Sequence, residues 1–413
     1  MRTIIVLCGL GVVLLSGCGG DAAPKPTQEA KQPVQITHEA QNANLKFALN
    51  LLNQLDDPDT SENLCFSPLS LTIALGMTLN GAEGETFDAI IQTLGYEQAR
   101  LDVFNQEARP LMRLLKPADA QVTIHSANGL WIQHGFEMKP DFLRALLTHY
   151  ESRVETVDFM KPEDAARRIN RWVAEQTKQM IDKLFEAGDF NAQTRLALVN
   201  TLYFEGKWQT PFLKEATEDA PFYLEDGEAK RVPMMHLSKR LPYFKGEGFQ
   251  AVGLPYGEGD YQFYLFLPEK GRKVAQLREQ FTPENWAKWM AEFRAIEGDL
   301  QMPRFKIEGL HDLKPPLSAL GMGIAFDPNR ADFSRIADVS PNRLFIQKAI
   351  QKAVIEVDEE GTQAAAATGI TVGVTAAPMP SERFNLVADC PFLFAIVHQP
   401  TGTILFMGIV REP

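Results

Sequence analysis

The spacing of hydrophobic and polar residues changes along the chain, from a helical period in the first half to a strand period in the second. In the first half, apolar residues recur every three or four positions, and Ser67 followed by Pro68 is a typical helix start. The segments with this helical pattern are 44–55, 68–79, 102–115, 140–150 and 162–181. In the second half, short apolar or alternating runs predict strands over 196–203, 248–255, 261–267, 300–307, 345–357, 392–397 and 403–410. Helices followed by strands, without regular alternation of the two, predict an α+β fold built on antiparallel or mixed sheets.

The N-terminal stretch has the pattern of an export signal. Arg2 is followed by an apolar run over 4–15, which is too short to span a membrane. The sequence LSGC, which ends at Cys18, resembles the lipobox of bacterial lipoproteins, and this resemblance implies cleavage that leaves Cys18 as a lipid-modified first residue. A plain secretory signal is the alternative. Residues 19–35 are rich in Pro, Ala, Gln and Lys, which predicts an unstructured tether.

These features predict three segments: a signal peptide over 1–17, a flexible tether over 18–37 and a folded domain over 38–413. A lipid at Cys18 would hold the exported protein on the cell membrane or the outer membrane, facing the periplasm or the cell surface. Gly19 in place of Asp after the modified cysteine favours the outer membrane.

Composition and charge exclude several classes of protein. A chain of 413 residues with 45% hydrophobic content can bury a large core, as one large domain or two smaller ones. Lys and Arg total 41 against 53 Asp and Glu, and no basic stripe is present, so nucleic acid is not an expected partner. The cluster RRINR over 167–171 lies in a predicted amphipathic helix and is expected to be a solvated face. Cys65 and Cys390 lie among apolar residues, which favours buried free thiols over a disulfide.

The sequence contains no familiar catalytic or metal-binding motif. G-x-S-x-G, H-E-x-x-H, the phosphate-binding P-loop and C-x-x-C are all absent. His125 and His134 are nine residues apart, and no Cys or His spacing resembles a metal site. Asp358, Glu359 and Glu360 are adjacent, so successive side chains on a strand would point to opposite faces. We therefore expect no enzyme activity, no cofactor and no metal.

The segment DEEGTQAAAATGITVGVTAAPMP, residues 358–380, is unusual for its run of small, uncharged side chains. Four alanines precede β-branched residues that alternate with Thr and Gly, and no Pro occurs over 361–377. Alternate residues of a strand face the same side, so small residues at alternate positions let a segment enter a sheet without burying bulk or charge. Taken alone, the alanines suit a short helix or a linker equally well.

Several segments, in sequence order, resemble the serpin family. They are NLCFSPLSLTIALGMTLNGAEGET (63–86), LVNTLYFEGKWQTPF (198–212), MPRFKIEGLHDLKPPLSALGMGIAFDPNRADFSRI (302–336) and DCPFLFAIVHQPTGTILFMGIV (389–410). The resemblance implies a serpin fold, with about nine helices packed on three β-sheets and an exposed reactive-centre loop at about 359–380. It also implies a shutter that contains Ser67, Ser70, Asn200 and Gln351, and a breach that contains Trp208. Many serpins have His where this chain has Gln351, so we expect this shutter to respond less to pH.

The same resemblance implies inhibition of serine proteases by suicide-substrate trapping. A protease would cut the loop, form an acyl-enzyme and be carried across the molecule as the loop becomes a new strand. The hinge residues that must permit this insertion are Glu359, Gly361, Thr362, Ala364, Ala366 and Thr368. A serpin without inhibitory activity, acting as a surface-binding protein, is the alternative.

The family usually places the reactive bond fourteen residues after the glycine that matches Gly361, which here is the bond between Thr375 and Ala376. The alternatives are the neighbouring bonds, formed by Val374 with Thr375 and by Ala376 with Ala377. Arg and Lys are absent over 353–382, so a trypsin-like target is disfavoured and an elastase-like protease with a small primary pocket is expected. We expect a monomer whose membrane contact is its lipid anchor.

Overall fold

Nine α-helices lie among the residues that this computed structural model describes, which are 34–96, 100–152, 154–191, 193–338, 343–362 and 382–413. The helices are α1 (His38–Leu55), α2 (Pro68–Leu79), α3 (Gly84–Thr93), α4 (Leu101–Arg113), α5 (Pro140–Tyr150), α6 (Pro162–Gln176), α7 (Val274–Arg278), α8 (Pro283–Glu292) and α9 (Lys314–Ala319). The start of α2 follows the sequence prediction, because the Ser67 hydroxyl accepts the N–H of Ser70 and Pro68 takes the first helical position.

Fifteen strands lie in the same described ranges. They are β1 (Leu64–Phe66), β2 (Val122–Gln133), β3 (Glu155–Val157), β4 (Leu196–Lys207), β5 (Glu218–Tyr223), β6 (Ala229–Gly246), β7 (Phe249–Tyr256), β8 (Tyr261–Pro268), β9 (Arg294–Pro303), β10 (Phe305–Asp312), β11 (Lys348–Val357), β12 (Gly361–Thr362), β13 (Arg383–Val387), β14 (Phe392–His398) and β15 (Thr403–Val410). The α+β fold class is confirmed, and the sheets are mixed, since β4 with β11, β2 with β3 and β9 with β13 are parallel pairs.

The strands form two hydrogen-bonded sheets. One has six strands in the order β10-β11-β12-β4-β2-β3, and β11 also pairs directly with β4. The other has nine strands in the order β1-β15-β14-β8-β7-β6-β9-β13, with β5 beside β6. The long strand β6 pairs with β9 up to Tyr243 and with β7 from Tyr243 onwards, so it joins what would otherwise be two separate sheets. The resemblance predicts three sheets. Two of them are joined through β6, so the described strands form two hydrogen-bonded sheets.

The main core lies between the two sheets and around α2, all of whose residues are buried. A second, smaller core lies on the other face of the six-stranded sheet, where α6 packs against residues such as Trp131, Tyr203 and Val354. The six-stranded sheet is therefore covered on both faces near its centre. None of the helices in the described ranges is long and apolar enough to cross a membrane.

Several predicted element boundaries differ from the structure; α1, for example, begins at His38 and not at residue 44. The strand expected over 300–307 is two strands, because β9 ends at Pro303 and β10 begins at Phe305. The helix expected over 162–181 ends at Gln176, since Lys178 and Gln179 take positive φ angles of 54° and 66° that no α-helix accommodates. The strands β2 and β6 and the helix α3 were not predicted, because each mixes polar and apolar residues without a clean period.

Candidate functional site at the opening between β4 and β11

The two central strands of the six-stranded sheet pair with each other over only part of their length. β4 and β11 are parallel neighbours up to Tyr203 and Val354. Beyond this point β11 continues along β10, and β4 continues along β2. β12 enters the opening, where Thr362 pairs with Val357 of β11 and with Gly206 of β4. The sheet therefore already holds the first two residues of an additional antiparallel strand.

A tight turn leads from β11 into β12. The Asp358 carboxylate accepts the N–H groups of Glu360 at 2.9 Å and Gly361 at 3.1 Å, and the Asp358 N–H donates to the Gly361 carbonyl at 2.8 Å. A Cβ atom on Gly361 would lie 2.0 Å from the carbonyl oxygen of Gly206. Only glycine therefore lets the turn approach β4 this closely.

Trp208 and Tyr256 pack beside β12. Their rings are stacked, with centroids 4.4 Å apart, and the Tyr256 hydroxyl lies 2.7 Å from the hydroxyl of Thr362. The Trp208 indole N–H donates to the carbonyl of Asp358 at 2.9 Å. Burial raises the pKa of Tyr256, so its hydroxyl stays neutral at physiological pH. Thr362 is fully buried by these contacts, and a larger side chain there would displace an aromatic ring.

Glu359 is a buried carboxylate in the turn before β12, with only 1% of its surface exposed. Arg304 donates to it through Nε at 2.7 Å and also through Nη2, and the Thr217 hydroxyl donates to the same oxygen. Burial opposes ionisation of Glu359, but the hydrogen bonds from Arg304 and Thr217 outweigh it and hold its pKa below the ordinary value of 4.5. The charged carboxylate thus ties this turn to the junction of β9 and β10.

A second polar cluster lies where β11, β4 and the start of α2 meet. The side-chain amide of Gln351 donates to the Ser67 carbonyl and accepts the Ser67 N–H, both at 2.9 Å, and it also donates to the Asn200 side chain. The Asn200 amide nitrogen donates to Ser70 Oγ at 2.7 Å and to Asn128 Oδ1 at 2.5 Å. Because the bond between Gln351 and Asn200 joins β11 to β4, a strand entering between them has to break it.

The sequence-derived residues fall into two places in the structure. Ser67, Ser70, Asn200 and Gln351 meet in the second cluster, while Trp208, Glu359, Gly361 and Thr362 surround β12. The remaining predicted residues lie outside the described residues: Cys18, Ala364, Ala366, Thr368, Val374, Thr375, Ala376 and Ala377. Sequence reasoning missed Asn128, Arg304 and Tyr256. Asn128 lies in the polar stretch HSANG of β2, which carries no clear strand pattern.

The outer face of the opening is covered by α6 and the residues that follow it. Tyr203 of β4 and Val354 of β11 are buried in the smaller core together with Ile181 and Phe185, which come after α6. A strand that separates β4 from β11 must therefore shift this cover as well.

The two cysteines of the described ranges are not activated as nucleophiles. Cys65 and Cys390 are free thiols, and burial raises the pKa of Cys390 to about 12 and that of Cys65 still further. Both stay protonated at neutral pH. Within the described ranges, no group of three or more His, Cys, Asp or Glu side chains is placed to hold a metal ion.

Comparison with known proteins gives this arrangement its context. The family described as Serpin (serine protease inhibitor) matches residues 42–413. The chain belongs to the serpin family. Members of this family inhibit serine proteases and are not catalysts, so the opening between β4 and β11 is part of an inhibitor. For this serpin, "shutter" denotes the cluster around Gln351 and Asn200, and "breach" denotes the cluster around Trp208 and Glu359.

Curated relatives and solved structures match this serpin over nearly its whole length. Leukocyte elastase inhibitor from Bos taurus is 36% identical over 380 residues, which cover 90% of this chain and 98% of the relative. Neuroserpin from Rattus norvegicus is 32% identical over 377 residues, covering 89% of this chain and 90% of the relative. The thermophilic serpin Tengpin in its native state has a TM-score of 0.84 at 27% identity, covering 92% of this chain and 95% of Tengpin. Serpin48 from the insect Tenebrio molitor has a TM-score of 0.80 at 28% identity, covering 91% and 98%.

Proposed function

We propose that this serpin traps elastase-like serine proteases as a suicide substrate. The protease serine attacks the carbonyl carbon of Thr375, the bond to Ala376 breaks, and the new amino terminus at Ala376 leaves while an ester joins Thr375 to the protease. Insertion of the cut loop between β4 and β11 then carries the protease away before water hydrolyses the ester. The result is a covalent complex instead of a released product.

The register of β12 is the observation that carries this proposal. The Thr362 side chain lies on the buried face of the sheet, against Tyr256, and alternate residues of a strand share one face. If the register continues, the next inward-facing residues lie opposite defined pairs: Ala364 opposite Phe204 and Ile355, Ala366 opposite Leu202 and Ala353, and Thr368 opposite Asn200 and Gln351. Phe204, Leu202 and Ile355 are buried core residues, so small side chains on the entering strand fit where large or charged ones do not.

Thr368 would enter the shutter in this register. There it would separate Gln351 from Asn200, whose direct hydrogen bond has to break. A threonine hydroxyl can both donate and accept, so it can satisfy both amides in place of the lost bond. An alanine at 368 could not, which gives this position a polar requirement that Ala364 and Ala366 lack.

The same register also describes where the protease would be moved. Residue 372 would pair with Leu196, the first residue of β4, so Thr375 would lie beyond the end of that strand. The 14 residues from Thr362 to Thr375 span roughly 46 Å as a strand, at about 3.3 Å per residue. An acyl-enzyme formed at any of the three candidate bonds would therefore finish at the far end of the sheet.

Small residues around the candidate bonds support an elastase-like target. Val374, Thr375 and Ala376 are apolar or β-branched, and they suit a shallow apolar primary pocket better than the acidic pocket of a trypsin-like protease. Several relatives at 33–36% identity are named leukocyte elastase inhibitor, in agreement with this assignment.

Incubation with pancreatic elastase tests the proposal. The mature chain, residues 18–413, is mixed with the protease and with a control sample whose catalytic serine is chemically blocked, and the products are separated by denaturing electrophoresis. We expect a band of higher mass only with active elastase, and a released C-terminal peptide that begins at Ala376. Complete cleavage without that band would contradict trapping and would favour a non-inhibitory, surface-binding serpin.

We also propose that the protein is exported as a monomer and held on a membrane through a lipid at Cys18. The apolar run over 4–15 and the LSGC sequence support this localisation. Metabolic labelling with a radioactive fatty acid should mark the wild-type protein and leave Cys18→Ser unlabelled. Equal labelling of both proteins, or of neither, would contradict the anchor.

A further inference from the structure

We propose that a surface formed by α4 and α5 lies against the membrane when this serpin is anchored. This surface, termed the α4–α5 face, presents Val103 of α4 and Leu143 and Leu147 of α5 to solvent. The occupant we assign to it is the lipid surface itself, at the boundary between head groups and acyl chains. The inference rests on the lipid anchor at Cys18 proposed above.

The α4–α5 face is apolar where a soluble protein normally presents polar residues. Leu147 is 59% exposed, Val103 39% and Leu143 37%. Leu143 and Leu147 are four residues apart and so lie on one side of α5, while Phe142 and Leu146 are buried on its other side. Eight large hydrophobic side chains are exposed in the described part of the chain, and three of them belong to these two helices. Such clustering is typical of an interaction surface.

The exposed sides of the two helices adjoin. Arg109 lies on the exposed side of α4 and donates through Nε to the carbonyl of Thr148 at 3.0 Å. Thr148 is the neighbour of Leu147 on the exposed side of α5. A second link, the ion pair between Lys116 and Glu151 at 2.5 Å, joins the chain just beyond both helices. The exposed side of α5 that carries Leu147 thus lies next to α4.

The chain enters the folded domain beside α4. The N–H of Thr37, which caps α1, donates to the Glu107 carboxylate of α4 at 3.3 Å, and Val34 and Ile36 pack partly buried against the core. Only 15 residues lie between Cys18 and Val34. As the flexible tether that the sequence predicts, this stretch would have an end-to-end distance of about 22 Å. A lipid at Cys18 would therefore keep α4 close to the bilayer, and Val103 lies one helical turn from Glu107, the residue that Thr37 contacts.

Charge neither drives nor prevents this contact. α4 carries two acids and two cations, and α5 carries Asp141 and Arg144, which pair at 3.2 Å, so the charges of the two helices balance. Attraction to the membrane then comes from burying the apolar side chains, assisted by the high local concentration that the anchor provides. We expect the contact to depend little on the fraction of anionic lipid.

Photocrosslinking to lipid tests the α4–α5 face. Benzoylphenylalanine replaces Leu147 in one version of the lipidated protein and Leu310 in the other, a matched control because both leucines are 59% exposed. Leu310 lies on β10, which is one edge strand of the six-stranded sheet. The other edge strand is β3, which follows α5 in the chain. The proteins are placed in phosphatidylcholine vesicles, with and without phosphatidylglycerol, and illuminated. Adducts with phospholipid are then counted by mass spectrometry.

We expect at least about fivefold more phospholipid adduct at position 147 than at 310, in both lipid compositions. Equal yields at the two positions would overturn the proposal. Crosslinks from position 147 to a second copy of the chain or to another protein, without lipid adducts, would overturn it as well. A yield that appears only with phosphatidylglycerol would contradict the assignment of the contact to apolar burial.

A second preparation separates this inference from the anchor on which it rests. The mature chain is coupled through Cys18 to a maleimide phospholipid; the high thiol pKa values of Cys65 and Cys390 direct the reaction to Cys18. If position 147 gives adducts in this preparation while Cys18 carries no natural lipid in cells, the anchor is refuted and the α4–α5 face is supported. A naturally lipidated protein that floats with vesicles but gives equal yields would refute the face and leave the anchor standing.

Discussion

Replacing Thr362 by arginine tests whether β12 is the first part of an inserting strand. Thr362 is fully buried, and its hydroxyl contacts Tyr256 at 2.7 Å. An arginine there would place its charge against the neutral Tyr256 hydroxyl and has to displace the stacked rings of Tyr256 and Trp208 or leave the sheet. The substitution therefore acts on the first step of insertion and leaves the protease-cut bond unchanged.

The size of the effect follows from the burial of position 362. An uncompensated buried charge costs about 3–5 kcal/mol. If about one third of that cost is present when the loop begins to insert, the barrier rises by roughly 1–1.7 kcal/mol, which slows insertion about tenfold. Deacylation by water is unaffected, so the ratio of trapped to released protease should fall about tenfold. The matched variant Thr362→Val keeps the shape and leaves the buried Tyr256 hydroxyl without this partner. That loss costs about 1–3 kcal/mol, less than a buried charge, so the variant should retain most of the trapping.

Titration of a fixed amount of elastase with each variant measures this ratio. Residual protease activity gives the moles of inhibitor consumed for each protease trapped, and electrophoresis shows whether the remainder is cleaved serpin. We expect the wild type and Thr362→Val to give similar values and Thr362→Arg to be consumed mainly as substrate. An arginine variant that traps as efficiently as the wild type would refute the insertion of residue 362.

Three further substitutions test the breach and the shutter. In the wild type, the depressed pKa of Glu359 adds stability above about pH 4.5, and this stability is lost as the pH falls through the native-state pKa. Glu359→Gln should therefore flatten the decline in unfolding free energy between pH 5 and 3. Equal declines for the two proteins in denaturant titrations would contradict this. Asn128→Ala removes an acceptor from the buried Asn200 amide and should cost about 1–3 kcal/mol in urea unfolding, whereas an unchanged midpoint would show that the shutter does not need it. Gly361→Ala places a Cβ against the Gly206 carbonyl and should expel β12 from the sheet. Limited proteolysis should then cut the hinge faster than in the wild type. Digestion at the wild-type rate would show that the turn tolerates the clash.

Much of the framework follows from local patterns in the sequence. The Ser67 and Pro68 pair determines where α2 begins, and continuous apolar runs such as YQFYLFL mark the buried strand β8. We expected one strand over 300–307, although the sequence contains a sign of the break between β9 and β10. Inward-facing Leu300 and Met302 occupy even positions, while Phe305 and Ile307 occupy odd ones. A change in the two-residue period indicates that the strand cannot continue.

The contacts of the site depend on residues far apart in sequence, which local patterns do not reveal. Glu359 is one of three adjacent acids, and nothing in its neighbourhood indicates that Arg304, 55 residues earlier, neutralises it. Asn128 joins the shutter because β2 pairs with β4 in a register that sets it opposite Asn200. The resemblance to serpins predicts which residues form the shutter. Only the structure shows that Asn128 contacts Asn200 and that Arg304 contacts Glu359.

Hydrogen exchange before and after loop cleavage tests the central claim most directly. The loop is cut by elastase or another protease, and backbone amide exchange is followed by mass spectrometry in peptides that cover 363–372 and the open ends of β4 and β11. An inserted strand gains hydrogen bonds to both neighbours, so we predict that amides over 363–372 change from exchange within seconds to protection for hours. Residues 204–205 and 355–356, which β12 does not yet pair with, should gain protection with them. If the amides over 363–372 still exchange within seconds in the cleaved protein, the loop does not enter the sheet and the proposed mechanism is wrong.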